Sequence, residues 1–179
     1  MKIKMLIFVF LLGITDLFAQ TLYVPGAIVK GKNASYYCAF ENKLVVRVYN
    51  VNNVDTTTTM YYDDGTVVPF DVGSAVIATK TEDLVRVFQE ALTQEEIDIL
   101  KSKITCSLQL DIVTDKQGNT LEITFRLRNY DPVMTKFDPD RLYQLEQNLK
   151  KVLKLNPSKA DSSIKNMKYF LPISYKDLK

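Results

Sequence analysis

The chain has 179 residues, 46% hydrophobic and 25% charged, with 23 Lys and Arg against 21 Asp and Glu for a formal net charge of +2. So even a balance lacks the basic excess that nucleic-acid phosphates call for, and it excludes nucleic acid as an expected partner. There is no histidine, which excludes Ser-His and Cys-His nucleophile arrangements and removes the commonest zinc ligand.

Residues 1–19 read as a cleavable secretory signal peptide. Lys2 and Lys4 precede the apolar run Met5 to Ile14, and Leu17-Phe18-Ala19 sets a small residue before Gln20. Asp16 interrupts a run already short of the roughly 20 residues a span needs, so no stable membrane span is expected after cleavage. The mature chain is expected in the periplasm or outside the cell.

Residues 20–80 read as a β-rich region. Tyr36 to Phe40 and Leu44 to Tyr49 are strand candidates, as are Thr56 to Tyr62 and Thr66 to Phe70 on either side of Asp63-Asp64-Gly65. Asp-Gly suits the positive φ of a tight hairpin turn. Tyrosines crowd this half: Tyr23, Tyr36, Tyr37, Tyr49, Tyr61 and Tyr62. Adjacent pairs on a strand must send one ring to each face. Tyr61 and Tyr62 could form an aromatic platform for a glycan or a peptide, and the competing reading is cross-strand packing.

Cys38 and Cys106 are the two cysteines. In an oxidising compartment they could pair, closing a long loop that chain entropy values at about 4 kcal/mol. A small buried thiol at Cys106 is the alternative.

Residues 81–179 are the more regular part. Thr81-Glu82-Asp83 opens a helix with Leu84, Val85, Phe88 and Leu92 on one side, and Thr93-Gln94-Glu95-Glu96 is a capping box that starts a second helix reaching about Lys101. Ile104, Cys106, Leu108, Leu110 and Ile112 then alternate with polar residues, as do Leu121, Ile123, Phe125 and Leu127 beyond Asp115-Lys116-Gln117-Gly118-Asn119. This is a hairpin with one apolar face and one wet face, turned where Gly and Asn accept positive φ. Its cover is a helix with Asp138 as N-cap and Pro139 at the first position, carrying the stripe Leu142, Leu145, Leu149, Val152 and Leu153 before Asn156-Pro157 stops it. Tyr169 to Tyr175 reads as a further strand, with Pro172 either placing it at an edge or limiting its pairing.

These elements predict an α+β fold, an antiparallel sheet covered by helices in two layers, with residues 20–80 and 81–179 joined in one compact unit. Asp63-Asp64 and Glu95-Glu96 fit a turn and a helix start, and no acidic run matches a calcium loop. No catalytic, cofactor-binding or metal-binding residue is assigned, and no cofactor is expected.

The strand, Gly-containing turn, strand, Leu-rich helix and closing Leu171-Pro172-Ile173-Ser174-Tyr175 resemble the C-terminal domain of TonB, and also small secreted bacterial families of unknown function with that layout. The resemblance covers under half the chain. It implies a two-layer fold that recruits a partner's strand at a sheet edge. Where TonB has a retained membrane anchor and a long Pro-rich spacer, this chain has a cleavable signal and six scattered prolines, so energy transduction is not expected; Asn129-Tyr130-Asp131-Pro132 stands where the family has a small Ser-Gly pair, which leaves the partner open. Two functions follow as expectations. The first is a non-enzymatic cell-envelope module that binds another envelope protein by β-augmentation along Tyr169, Leu171, Ile173 and Tyr175, with Ile173 as an edge donor. The second is a secreted glycan- or peptide-binding protein, or less favoured, a histidine-free hydrolase with two carboxylates in a cleft.

Overall fold

A computed structural model describes residues 21–70, 73, 75–102 and 107–178. Residues 1–19, expected to be a signal peptide, and Cys106 lie outside the described residues.

The strands are β1 (Ile28–Lys30), β2 (Ser35–Asn42), β3 (Val45–Asn50), β4 (Ala75–Ile77), β5 (Ser107–Thr114), β6 (Thr120–Arg128), β7 (Leu155–Pro157) and β8 (Met167–Ser174). The helices are α1 (Thr81–Ala91), α2 (Gln94–Ser102) and α3 (Pro139–Val152). Six strands form one sheet in the order β1-β2-β3-β6-β5-β8, each antiparallel to its neighbour, while β4 and β7 pair separately. The sheet is therefore shared by strands from both halves of the sequence, joined where β3 meets β6. The expected α+β class with an antiparallel sheet is the class observed.

Alternation along each strand divides the sheet into a helix-covered face and an open one. Val48, Leu110, Ile112, Ile123 and Phe125 point to the covered face and meet Leu142, Leu145 and Leu149 of α3, all fully buried. Each such side chain contributes roughly 1.5–3 kcal/mol by leaving water. Packing between α1 and α3, and between α3 and β6, closes the layer. Leu84, Val87 and Phe88 are the buried residues of α1, with Val87 where the spacing favoured Val85.

Local signals explain the helix starts. Asp138 accepts hydrogen bonds from the N–H groups of Asp140 and Arg141 at 2.9 and 3.0 Å. At α2 the capping box closes in both directions: Glu96 N–H donates to Thr93 Oγ1 at 3.2 Å, and Thr93 N–H donates to Glu96 Oε2 at 2.7 Å.

Four expectations are corrected. Thr56 to Tyr62 is not a strand; only isolated bridges form, Tyr61 with Val67 and Tyr62 with Ile164. At the start of this stretch the Thr56 N–H is taken up by the Glu122 carboxylate of β6, and the Thr58 N–H turns back to the Asp55 carbonyl, so neither is left for a ladder. In the β5–β6 loop only Gly118 takes a positive φ, at 77°, since the Asp115 side chain holds Asn119 N–H at 2.8 Å in ordinary backbone conformation. Beyond α3, Leu155-Asn156-Pro157 does more than stop the helix and pairs with β4. Tyr175 falls outside β8, in a short 3-10 turn (Tyr175–Asp177), because its hydroxyl turns inward to donate to Asp131 Oδ2 at 2.8 Å.

Candidate functional site

The open face of the sheet is written by register. One row across it reads Ile28, Tyr37, Tyr49, Thr124, Asp111 and Phe170, each paired with the next. The adjacent row reads Ala39, Arg47, Arg126, Gln109 and Pro172. Neighbouring strands lie about 4.8 Å apart, so these side chains share one surface.

Part of that surface is roofed. Thr56 to Met60, with Val68 and Phe70, arches over β5, β6 and β8 and encloses a cleft of about 560 Å³. Glu122 fixes the roof from below: its carboxylate accepts from the N–H of Val54 at 2.6 Å, of Asp55 at 3.0 Å and of Thr56 at 2.7 Å. Lys168 of β8 ties the other side, its ammonium donating to the carbonyls of Thr56, at 3.2 Å, and Thr58.

The floor is charged. Arg126 donates to Glu41 Oε1 and to Asp111 Oδ1, the latter at 3.4 Å, and Arg47 Nε lies 3.7 Å from Asp111 Oδ2. The Arg126 guanidinium also stacks over Phe170, 5.3 Å from the ring centre. Burial pushes the Asp111 carboxyl above its usual range, outweighing the pull of Arg126 and Arg47. Two guanidinium groups thus face two carboxylates across the floor, and the Lys168 ammonium adds one positive charge where β8 meets the roof.

Four buried polar atoms at this floor have no hydrogen-bond partner in the chain: Glu41 Oε2, Arg47 Nε, Arg126 Nε and Thr124 Oγ1. Thr124 is 0% exposed. Buried polar groups are satisfied as a rule, so the unmet bonding capacity of these four atoms is concentrated at the floor of one cleft. Both carboxylates are engaged by Arg126, which makes them an ion-pair network and not a free acid and base. Among the described residues, no group of three or more acidic or Cys side chains is placed to hold a metal ion.

The residues singled out in the sequence are dispersed. Tyr61 is half-exposed and Tyr62 packs on the core; neither lines the cleft. Tyr37 and Tyr49 instead form a T-shaped pair on the open face, ring centres 5.7 Å apart, while Tyr36 is buried and donates to Glu146 Oε2 at 2.7 Å. Cys38 is a buried free thiol on β2, its pKa pushed up to about 11 by burial.

On β8, Tyr169 and Leu171 point into the core and Ile173 is half-buried. β8 stands at one end of the sheet. Lys168 directs its backbone outward, its N–H to Met60 Sδ at 3.3 Å and its carbonyl to Gly73 N–H at 2.7 Å. By the two-residue period, Phe170, Pro172 and Ser174 face outward too, whereas Ile173 faces β5. The outward donors are therefore Phe170 and Ser174, not Ile173, and Pro172 interrupts them because it has no N–H.

Sequence reasoning missed Glu41, Arg47, Asp111, Thr124 and Arg126. The available signal was the polar half of each alternation, which reads equally well as a solvated face. Only the pairing of β3 with β6 brings Arg47 beside Arg126.

No family model matches this chain, and no curated protein matches it. A solved structure does. It is the crystal structure of a DUF5043 family protein from Bacteroides uniformis, with a TM-score of 0.69 over 87% of this chain and 88% of that one. Identity is 17%, so what the two have in common is the fold. A likeness of fold leaves the cleft to be read from its own side chains.

Proposed function

We propose that this chain is an exported, non-enzymatic binding module that holds a small polar ligand, a glycan or a peptide, in the cleft on the open face of its sheet. The observation that carries this reading is the set of unpartnered buried polar atoms at the cleft floor, with Thr124 Oγ1 the most enclosed. An unsatisfied hydroxyl costs stability, about 1–3 kcal/mol, and a ligand that bonds to it recovers that cost. Export is supported by the Lys2 to Ala19 pattern.

The test is saturation-transfer NMR on the mature chain against mixed oligosaccharides and short peptides, repeated with Thr124→Val. The expected result is a bound ligand that the variant loses while its thermal unfolding stays level or improves. Equal binding by the variant, or no binder in either library, overturns the reading.

A second reading is strand addition at β8. The sequence β5, β6, α3, β8, with β7 inserted, supports a TonB-like layout, and β8 occupies the end of the sheet. If an envelope protein pairs there, Ser174→Pro should abolish its co-purification; unchanged recovery counts against the edge.

A further inference from the structure

We infer that the ligand is a neutral oligosaccharide, and that the Tyr37–Tyr49 pair beside the cleft is the platform for its outer sugars; this rests on the binding role proposed for the cleft. The cleft is lined by donors and acceptors together: the Arg47 and Arg126 guanidinium groups, the Glu41 carboxylate, and the Thr124 hydroxyl, which can do either and has no hydrogen-bond partner in the chain. An anion at this floor would approach Glu41 and Asp111, and a cation would approach Arg47 and Arg126 with Lys168 nearby. Opposed charges in so small a space penalise both. A sugar hydroxyl donates and accepts at once and carries no charge, so one ring with several hydroxyls satisfies the set.

Aromatic faces flank this floor on both sides. Phe170 lies under Arg126 at one end, and Phe70 lines the roof. At the other end Tyr49 is paired directly with Thr124, and Tyr37 with Tyr49. Tyr37 is 36% exposed and Ile28 beyond it 54%, so the row leaves the roofed cleft and continues as open apolar surface. From Asp111 to Tyr37 is three strand spacings, about 14 Å. That is an extended track with a polar, enclosed start and an aromatic, open end. It fits a ligand longer than one ring whose C–H faces stack on tyrosine while its terminal hydroxyls enter the cleft.

The experiment is isothermal titration of the mature chain with neutral di- and hexasaccharides of glucose, mannose, galactose and xylose, alongside oligogalacturonate and a mixed hexapeptide pool. At least one neutral series is expected to bind, the hexasaccharide more tightly. Tyr37→Ala should weaken that hexasaccharide about tenfold and leave the disaccharide unchanged, whereas Thr124→Val should weaken both. Tyr37→Leu keeps apolar bulk without a ring and should behave as Tyr37→Ala, which separates stacking from a folding defect. A hexasaccharide indifferent to both Tyr37 variants overturns the platform. Binding of oligogalacturonate or peptide alone, lost in Thr124→Val, overturns the neutral-sugar class while the cleft stands. No ligand sensitive to Thr124→Val overturns the class and the cleft together.

Discussion

The Glu122 carboxylate accepts from both the backbone N–H and the hydroxyl of Thr56, at 2.7 and 2.8 Å. A strand side chain thereby stands in for the ladder that residues 54–56 do not make, and it turns a polar loop into a fixed roof. Hydrogen bonds to a charged acceptor are stronger than neutral ones, and here several converge on one group.

Glu122→Gln keeps the shape and removes the charge. The expected loss is about 1.5–3 kcal/mol, the range for a hydrogen bond to a charged group, since one amide oxygen must serve donors that two carboxylate oxygens now share. Urea unfolding measures it, and limited proteolysis should show earlier cutting between Asn52 and Thr59. Unchanged midpoint and unchanged cutting would show that the roof holds itself.

At Gly118 two demands coincide. Its φ is +77°, and a Cβ there would sit 1.8 Å from the Leu155 carbonyl oxygen, itself backbone. Gly118→Ala is therefore expected to cost more than the roughly 1–3 kcal/mol of a left-handed residue alone, because β7 must also move. Denaturant unfolding reads the loss; a cost within the roughly 1–3 kcal/mol that an exposed left-handed turn alone would give argues against the close approach.

Glu96 carries a pH prediction. The Arg141 guanidinium, bonded to it at 2.6 and 2.9 Å, holds its carboxyl below the usual range, although burial opposes this. A depressed carboxyl contributes stability above its ordinary pKa of 4.5 and loses it as pH falls through the lowered folded value. The wild-type advantage over Glu96→Gln, followed by thermal melts, should thus shrink on acidification. An advantage that is flat with pH would show that the ion pair adds nothing beyond the cap.

Asp111 has the opposite sign. Burial raises its carboxyl, so its contribution is full below the ordinary carboxylate pKa of 3.8 and is lost as pH climbs through the raised value. Asp111→Asn should therefore gain stability relative to wild type on going from about pH 3 to neutrality. If melts show the relative stability moving the other way, the two arginines govern this carboxylate after all.

The sequence was most legible where one chain segment decides its own structure. Asp138-Pro139 and the Thr93–Glu96 box specify helix starts within four residues, and the alternation from Leu108 to Leu127 specifies a hairpin without reference to anything distant. The cleft was not legible, because it has no local cause. Glu41, Arg47, Asp111 and Arg126 come from four strands, and each alone is an ordinary polar residue on a wet face. Tyr61 and Tyr62 drew notice because adjacent aromatics are visible in sequence. Tyr37 and Tyr49, whose rings meet on the open face, became a pair only through the register of β2 with β3.

The junction of β3 with β6 has a kinetic consequence. β1, β2 and β3 are consecutive, yet β3 has no second neighbour until β6, which follows β4 and two helices in the chain. Joining such remote strands pays its loop-closure entropy before any contact returns it, which slows folding. Emerging from synthesis amino end first, the β1–β3 meander must wait, with the Val45–Asn50 edge unpaired and prone to wrong pairing, until Thr120 to Arg128 arrives.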